Sequence, residues 1–254
     1  MNSAWMEKTY TIDGCAFYTN LRRGSSGVTI VFEAGYGTSS ETWDPLIADI
    51  DDEFGIFIYD RAGIGNSGRS SAKRTAEQKV KELESLLHAA DVKPPYLAVS
   101  HSYGAVITGL WACKNKRDII GMVLLDPALG DCASSSFLPE EMHKADTSKI
   151  MPEGTHAEFS RSLQIFKQRQ VHLGNMPLLV LSSGERTTQF TTEEDWLNMH
   201  RSILALSHQS GWIQAKNSSH NIHHDEPHIV HLAIYDVWCA ACQQQAVPLF
   251  QAVN

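Results

Sequence analysis

Short apolar runs alternate with helix-like segments along most of this 254-residue chain. The strand-like runs lie at residues 27–32, 56–59, 96–100, 119–125 and 177–181. Continuous apolar runs of this length are typical of strands that are buried on both faces of a sheet. Between the second and third runs, Val80, Leu83, Leu86 and Leu87 repeat on one face at helical spacing. Strands that alternate with helices predict an α/β fold with a mostly parallel, doubly wound sheet.

Three local signals place the ends of individual elements. Asp13-Gly14 between β-prone flanks predicts a hairpin over residues 8–21. Thr75, with Gln78 three residues later, predicts a capping box at the start of the amphipathic helix. Pro227 favours the first turn of the last helix, since proline suits that position.

Residues 130–176 interrupt the alternation, because they are richer in Ser, His, Glu, Lys and Gln. We expect residues 1–129 and 177–254 to form one core domain, and residues 130–176 to form a small, mostly helical cap inserted into it. The apolar side chains of this cap, Phe137, Leu163 and Phe166 among them, are expected to select the substrate rather than to perform chemistry.

The composition excludes several classes of protein. The chain has 21 Lys and Arg against 29 Asp and Glu, a formal net charge of −8, so nothing in its charge favours nucleic acid or anionic lipid. No apolar run approaches the ~18 residues that a membrane span needs. We see no secretory signal and expect a cytoplasmic protein. Five scattered cysteines do not suggest a disulfide scaffold. The sequence leaves the oligomeric state open.

The segment Ser100-His101-Ser102-Tyr103-Gly104 follows a buried strand and opens a helix. A turn between a buried strand and a helix is where a nucleophilic serine is often found. Such a turn is tight, so the residues two positions to either side of the serine are small. The segment resembles the G-x-S-x-G elbow of the α/β-hydrolase family, with Ser100 in place of the first glycine. The resemblance implies an α/β-hydrolase type of sheet, with Ser102 as the nucleophile.

Three further segments resemble the family in the same chain order, and together the likeness spans roughly residues 10–245. Residues 32–37 (FEAGYG) are similar to the L-x-H-G-x-G loop after the third strand, with Ala34 in place of the histidine. Residues 60–67 (DRAGIGNS) resemble the loop after the fourth strand. Residues 218–227 (SSHNIHHDEP) resemble the loop that presents a histidine before the last helix.

This resemblance implies a serine hydrolase that acts on a carboxylic ester or a similar acyl substrate through an acyl-enzyme. A serine hydroxyl is a weak nucleophile, so His220 would accept its proton. The backbone N–H groups of Tyr36 and Tyr103 would bind the oxyanion. The expected partner is a small acyl substrate, and we expect no cofactor.

The carboxylate that would orient the histidine has more than one candidate. In the family it usually follows the seventh strand as G-x-x-D, but this chain has threonine at that place, Gly184-Glu185-Arg186-Thr187. Asp126 follows the sixth strand, at the sheet edge where catalytic groups gather, so we favour it. Glu185 is the alternative, and Asp195 with its neighbours comes last.

Other functions are possible on the same fold. A ligand receptor with slow or no turnover could share it, as could a lyase, a perhydrolase or a carbon–carbon bond hydrolase. Haloalkane dehalogenation is not expected, because it uses aspartate at the position of Ser102. Histidines also cluster near the C-terminus, but Asn221 breaks the H-E-x-x-H pattern, so we expect no metal. The cluster comprises His220, His223, His224, His228 and His231.

Overall fold

The structure is a computed structural model that describes residues 4–129, 153–184 and 193–246. The strands within these ranges are β1 (Trp5–Ile12), β2 (Cys15–Arg22), β3 (Thr29–Glu33), β4 (Gly55–Tyr59), β5 (Tyr96–His101), β6 (Ile119–Leu125), β7 (Leu178–Ser183) and β8 (Ser210–Ala215). They form one sheet in the order β1-β2-β4-β3-β5-β6-β7-β8. β2 pairs antiparallel with β1 and β4, and every other neighbouring pair is parallel. The mostly parallel sheet is therefore confirmed.

Helices cover both faces of the sheet, as the alternating pattern predicts. Their bounds are α1 (Asp44–Ile47), α2 (Ala76–Ala89), α3 (Gly104–Lys114), α4 (His156–Gln168), α5 (Glu193–Ile203), α6 (Ile222–Asp225) and α7 (Pro227–Ala246). On one face, Leu83 of α2 and Ala105 of α3 share a buried cluster with Phe57 of β4. On the other face, Leu46 of α1 and Val230 of α7 share a second buried cluster with the sheet. None of the described helices combines the length and apolar character needed to cross a membrane.

The hairpin predicted around Asp13-Gly14 is confirmed. β1 and β2 pair from Trp5 opposite Arg22 to Ile12 opposite Cys15, which leaves only the two turn residues between the strands. Both turn residues have a positive φ, 49° at Asp13 and 78° at Gly14. Such backbone angles suit a two-residue hairpin turn, and Asp and Gly adopt them readily.

The capping box predicted at Thr75 is wrong. The Thr75 side chain makes no capping hydrogen bond. The first N–H of α2, that of Ala76, instead donates to the Ser162 hydroxyl of α4 at 2.9 Å. The capping box lies at the start of α4, where Thr155 and Glu158 bond each other's backbone N–H. A tertiary partner thus replaces the local cap at α2.

The described part of the predicted cap packs against the core through α4. Leu163 and Phe166 are buried in the same cluster as α2 and α3. A Cβ atom on Gly109 of α3 would lie 2.5 Å from the Phe166 ring, so the helix and the ring are in close contact. The Phe166 ring thus packs on α3, and the substrate-selecting role expected for it stays a prediction. Phe137 lies outside the described residues, and the division into core and cap stays a prediction.

Candidate active site

The segment after β5 forms a sharp strand-to-helix turn. Ser102 has a φ of 50°, in the left-handed region that residues with a Cβ rarely adopt. Its N–H donates to the Leu125 carbonyl at 2.9 Å, which holds the turn against the end of β6. A Cβ on Gly104 would lie 2.4 Å from the Glu33 carbonyl oxygen. Glycine is therefore required at 104, because α3 begins directly against β3.

Ser100 stands where the family has glycine, and the structure accommodates its side chain. The side chain is buried and its Oγ accepts a hydrogen bond from the Thr108 hydroxyl at 2.9 Å. Thr108 lies one turn into α3, so the serine is paired within the elbow itself. The extra hydroxyl is therefore satisfied and does not open the turn.

Asp126 follows β6 and meets His220 at the same edge of the sheet. Its side chain is fully buried, and Oδ2 lies 2.6 Å from the His220 Nδ1. Ser183 at the end of β7 donates twice to this carboxylate, from its N–H to Oδ1 at 2.9 Å and from its hydroxyl to Oδ2 at 3.0 Å. A carboxylate in this arrangement holds an imidazole in the tautomer that carries the proton on Nδ1.

The loop that carries His220 is fixed at both ends. The Asp225 carboxylate accepts from the Ser219 N–H at 2.8 Å and from the Ser219 hydroxyl. On the other side, the backbone carbonyl of His220 accepts from the buried His101 Nε2 at 2.9 Å. Since His101 immediately precedes Ser102, these bonds place the His220 loop beside the elbow.

The loop after β3 passes directly beside Ser102. A Cβ on Gly35 would lie 3.7 Å from the Ser102 Cβ and 2.9 Å from the His101 Nδ1, so only glycine fits there. Among the described residues, the N–H groups of Tyr36 and Tyr103 donate to no acceptor. Both tyrosine rings pack on Phe159 of α4, at 5.0 and 4.9 Å between centroids. Two unbonded N–H groups, one in the elbow and one in the loop beside it, meet one requirement of an oxyanion site.

Sequence reasoning missed three side chains near this loop. Phe159 is one, and no motif marks it. Arg61, from the loop after β4, donates to the carbonyls of Ala34 and Gly35 at 2.8 and 2.5 Å. Glu153 accepts from the Gly37 N–H and pairs with Arg61. The only local signal for Glu153 was its position just before the capping box of α4.

Of the two other candidates for the acid, the structure describes one. Glu185 lies outside the described residues. Asp195 is exposed on α5. A third histidine, His200 of α5, does approach the buried carboxylate, with its Nδ1 3.8 Å from the Asp126 Oδ1. Its Nδ1 also lies 2.6 Å from the Ser182 hydroxyl, which in turn accepts from the Trp212 indole N–H at 2.8 Å. Of the candidate carboxylates that the structure describes, Asp126 is the one brought to His220.

Several histidines around the site are buried and stay uncharged. Burial lowers the pKa of His200 to about 4, although the Asp126 charge opposes this shift. Burial, with His224 and His220 nearby, lowers the pKa of His223 to about 3. Burial likewise keeps the pKa of His101 well below its usual range. Within the described ranges, no group of three or more His, Cys, Asp or Glu side chains is arranged to hold a metal ion.

These buried histidines predict a loss of stability in mild acid. The pKa of each is lower in the folded state than the ~6.5 of an unfolded histidine, so the unfolded chain binds more protons as the pH falls. Stability is retained above that pH and is lost below it, at about 1.4 kcal/mol per pH unit for each histidine. Urea unfolding between pH 7.5 and pH 5.0 measures this slope. His223→Gln should flatten it, whereas the exposed His88→Gln should keep the parental slope. An unchanged slope in His223→Gln would contradict the assignment.

Comparison with known proteins gives a consistent family. The model of the Alpha/beta hydrolase family matches residues 30–217. The chain is 84% identical to the protein YqjL of Bacillus subtilis (strain 168) over 254 residues, the whole of both chains.

Two solved structures share the fold at low sequence identity. One is a hydrolase from Pseudomonas aeruginosa PA01, with a TM-score of 0.70, 14% identity, and coverage of 91% of this chain and 98% of that one. The other is the haloalkane dehalogenase DatA from Agrobacterium tumefaciens C58, with a TM-score of 0.68, 15% identity, and coverage of 93% and 97%. At such identity these structures establish the architecture and leave the reaction to the site residues.

Proposed function

The chain belongs to the alpha/beta hydrolase family, and we propose that it is a serine hydrolase that cleaves a carboxylic ester or a similar acyl substrate. One observation carries the proposal. The His220 Nδ1 lies 2.6 Å from the buried Asp126 carboxylate, in a loop that is bonded to the residue before Ser102. A histidine held in this way, in a loop bonded to the residue before a serine in a strained turn, is what the activation of that serine would require.

In the proposed reaction, the Ser102 Oγ attacks the substrate carbonyl carbon while its proton passes to the His220 Nε2. The carbonyl π electrons move to oxygen, and the N–H groups of Tyr36 and Tyr103 stabilise the resulting oxyanion. When the intermediate collapses, the bond to the leaving alcohol breaks and His220 returns the proton to it. In the second half, His220 takes a proton from water and the water oxygen attacks the acyl carbon. The bond to the Ser102 Oγ then breaks as His220 returns the proton to that oxygen, and the carboxylic acid leaves. Apart from the substrate and this water, each group named in the proposed reaction belongs to the chain.

Asp126 supports the proton transfer in two ways. It keeps the Nδ1 proton in place, which leaves Nε2 free to accept from serine, and its negative charge stabilises the imidazolium that forms. The two bonds from Ser183 fix the direction of the carboxylate. His200, whose pKa burial lowers to about 4, brings no positive charge that would compete for Asp126 at neutral pH.

His220→Ala should reduce kcat for a chromogenic short-chain ester by ~10³-fold or more, because no other group in the proposed reaction accepts the serine proton. Steady-state hydrolysis of the purified variant measures this. His224→Ala is the matched control, since His224 lies four residues away and is exposed. It should hydrolyse the ester within a few-fold of the parent. Full activity in His220→Ala, with loss in His224→Ala, would show that His220 is not the general base. A parent that binds acyl ligands without turnover would instead favour a receptor.

A further inference from the structure

Four charged side chains are buried together beneath the loop after β3. Glu33, Arg61, Lys79 and Glu153 each have a side chain no more than 2% exposed. Arg61 pairs with Glu33 and forks onto Glu153 through its Nε at 2.7 Å and its Nη2 at 2.5 Å. The Lys79 Nζ lies 2.8 Å from the same Glu153 carboxylate. Two basic and two acidic side chains thus face one another away from water.

Such a cluster is not explained by stability alone. Removing charges from water is costly, and apolar side chains of similar volume often stabilise a fold as well or better. What apolar side chains could not do is bond the backbone of the loop. Arg61 donates to the carbonyls of Ala34 and Gly35, and Glu153 accepts from the Gly37 N–H. These three bonds bracket Tyr36 on both sides.

The two proposed oxyanion donors are held by different means. The Tyr103 N–H is fixed by the elbow and by the start of α3. The Tyr36 N–H belongs to a turn in which Thr38 donates to the Gly35 carbonyl at 3.3 Å and Gly37 has a φ of 72°. An oxyanion donor must lie within about 2.7–3.1 Å of the developing charge, so small displacements of this turn matter.

We propose that Glu153 and Arg61 are positioning residues that hold the turn of Tyr36 against Ser102, so that oxyanion stabilisation depends on a carboxylate supplied from outside the α/β core motifs. The proposal rests on the proposed function. Glu153 lies three residues before α4, which also carries Phe159 onto the rings of Tyr36 and Tyr103. Burial raises the pKa of Glu153, but Arg61 and Lys79 more than offset this and lower it to about 2. Glu153 therefore keeps its negative charge throughout the neutral range, whereas burial lowers the pKa of Lys79 to about 8.

Glu153→Gln tests the proposal, because the side chain keeps its shape but has only one acceptor oxygen. Glu153 uses Oε1 for the Gly37 N–H and the Arg61 Nη2, and Oε2 for the Arg61 Nε and the Lys79 Nζ, so one of these two sets of bonds is lost. The expected result is a fall in kcat of ~10- to 100-fold, less than the 10²–10³-fold that follows complete removal of an oxyanion donor elsewhere. KM for the ester should change less than about threefold, because the substrate ground state needs little from this donor. The acid limb of the pH profile should keep its midpoint, since His220 and Asp126 are untouched.

Glu158→Gln is the matched control. Glu158 lies in the first turn of α4 and caps the helix, but its bonds go to Thr155 and Arg74 rather than to the loop. It should keep kcat within about twofold even if it lowers the melting temperature. An equal loss of kcat in both variants, or full kcat in Glu153→Gln, would overturn the positioning role.

Hydrogen exchange gives a second measurement that does not depend on turnover. The peptide covering residues 33–38 should exchange faster in Glu153→Gln than in the parent or in Glu158→Gln. Equal exchange in all three would overturn the proposal. If Glu153→Gln does not fold, Arg61→Lys takes its place, since lysine keeps the charge but lacks the fork that reaches both carbonyls and Glu153. If the parent shows no Ser102-dependent hydrolysis, the proposed function fails, and the exchange data alone decide the positioning role.

Discussion

Ser102→Ala should lose ~10³-fold or more in kcat for a short-chain ester, because it removes the only nucleophile in the proposed reaction. The strained φ of 50° at this residue supports the expectation. Strain of this kind costs ~1–3 kcal/mol and persists where the surrounding structure and function require it. Steady-state assays with enough enzyme to detect the residual rate provide the measurement.

Ser100→Ala is the control for this prediction. Ser100 lies two residues away in the same elbow, yet its hydroxyl is buried against Thr108. Its removal should cost about 1 kcal/mol of stability, the usual net value of one hydrogen bond, and leave kcat within a few-fold. Loss of activity in Ser100→Ala, with full turnover in Ser102→Ala, would show that Ser102 is not the nucleophile.

Asp126→Asn should cost ~10⁴-fold in kcat, the loss that the equivalent change causes in a serine protease. The hydrogen bonds explain why. Oδ1 accepts from the Ser183 N–H, a backbone donor that cannot turn away, so the amide oxygen of asparagine would remain there. The amide N–H₂ would then face His220 in place of Oδ2. His220 would have to accept on Nδ1 and carry its proton on Nε2, which prevents Nε2 from accepting the serine proton.

Two further variants separate the candidate acids. Glu185→Gln and Asp195→Asn remove the alternative carboxylates and should hydrolyse the ester within a few-fold of the parent. Activity close to that of the parent in Asp126→Asn, combined with an inactive Glu185→Gln, would place the acid after β7. Circular dichroism of each variant distinguishes lost chemistry from lost folding.

Much of this architecture is predictable from short stretches of sequence. The strand runs and the Asp13-Gly14 hairpin are local, so periodicity and turn chemistry suffice. The position of Asp126 could also be predicted, because the carboxyl ends of neighbouring parallel strands meet at one edge of the sheet. The small residues on either side of Ser102 predicted the tight turn. The structure shows why Gly104 must be small, since α3 starts against the Glu33 carbonyl.

The parts that sequence did not predict depend on contacts between distant segments. Arg61 and Glu153 are separated by 92 residues, and no motif in the sequence predicts that they form an ion pair. The capping box expected at Thr75 failed for the same reason, since Ser162 from α4 supplies the bond. The contact of Phe166 with Gly109 of α3 was not predicted either, because an apolar residue on a helix can face any neighbouring element. Periodicity identifies a buried face without saying what covers it.

Covalent labelling with a fluorophosphonate, followed by peptide mass mapping, tests the central claim most directly. The reagent forms a bond to an activated serine oxygen and loses fluoride, so it reports the nucleophile without knowledge of the substrate. The account predicts one adduct, on Ser102, that is absent in Ser102→Ala and forms slowly in Asp126→Asn. An adduct on Ser100 or on another serine, or no adduct on the folded parent, would contradict it.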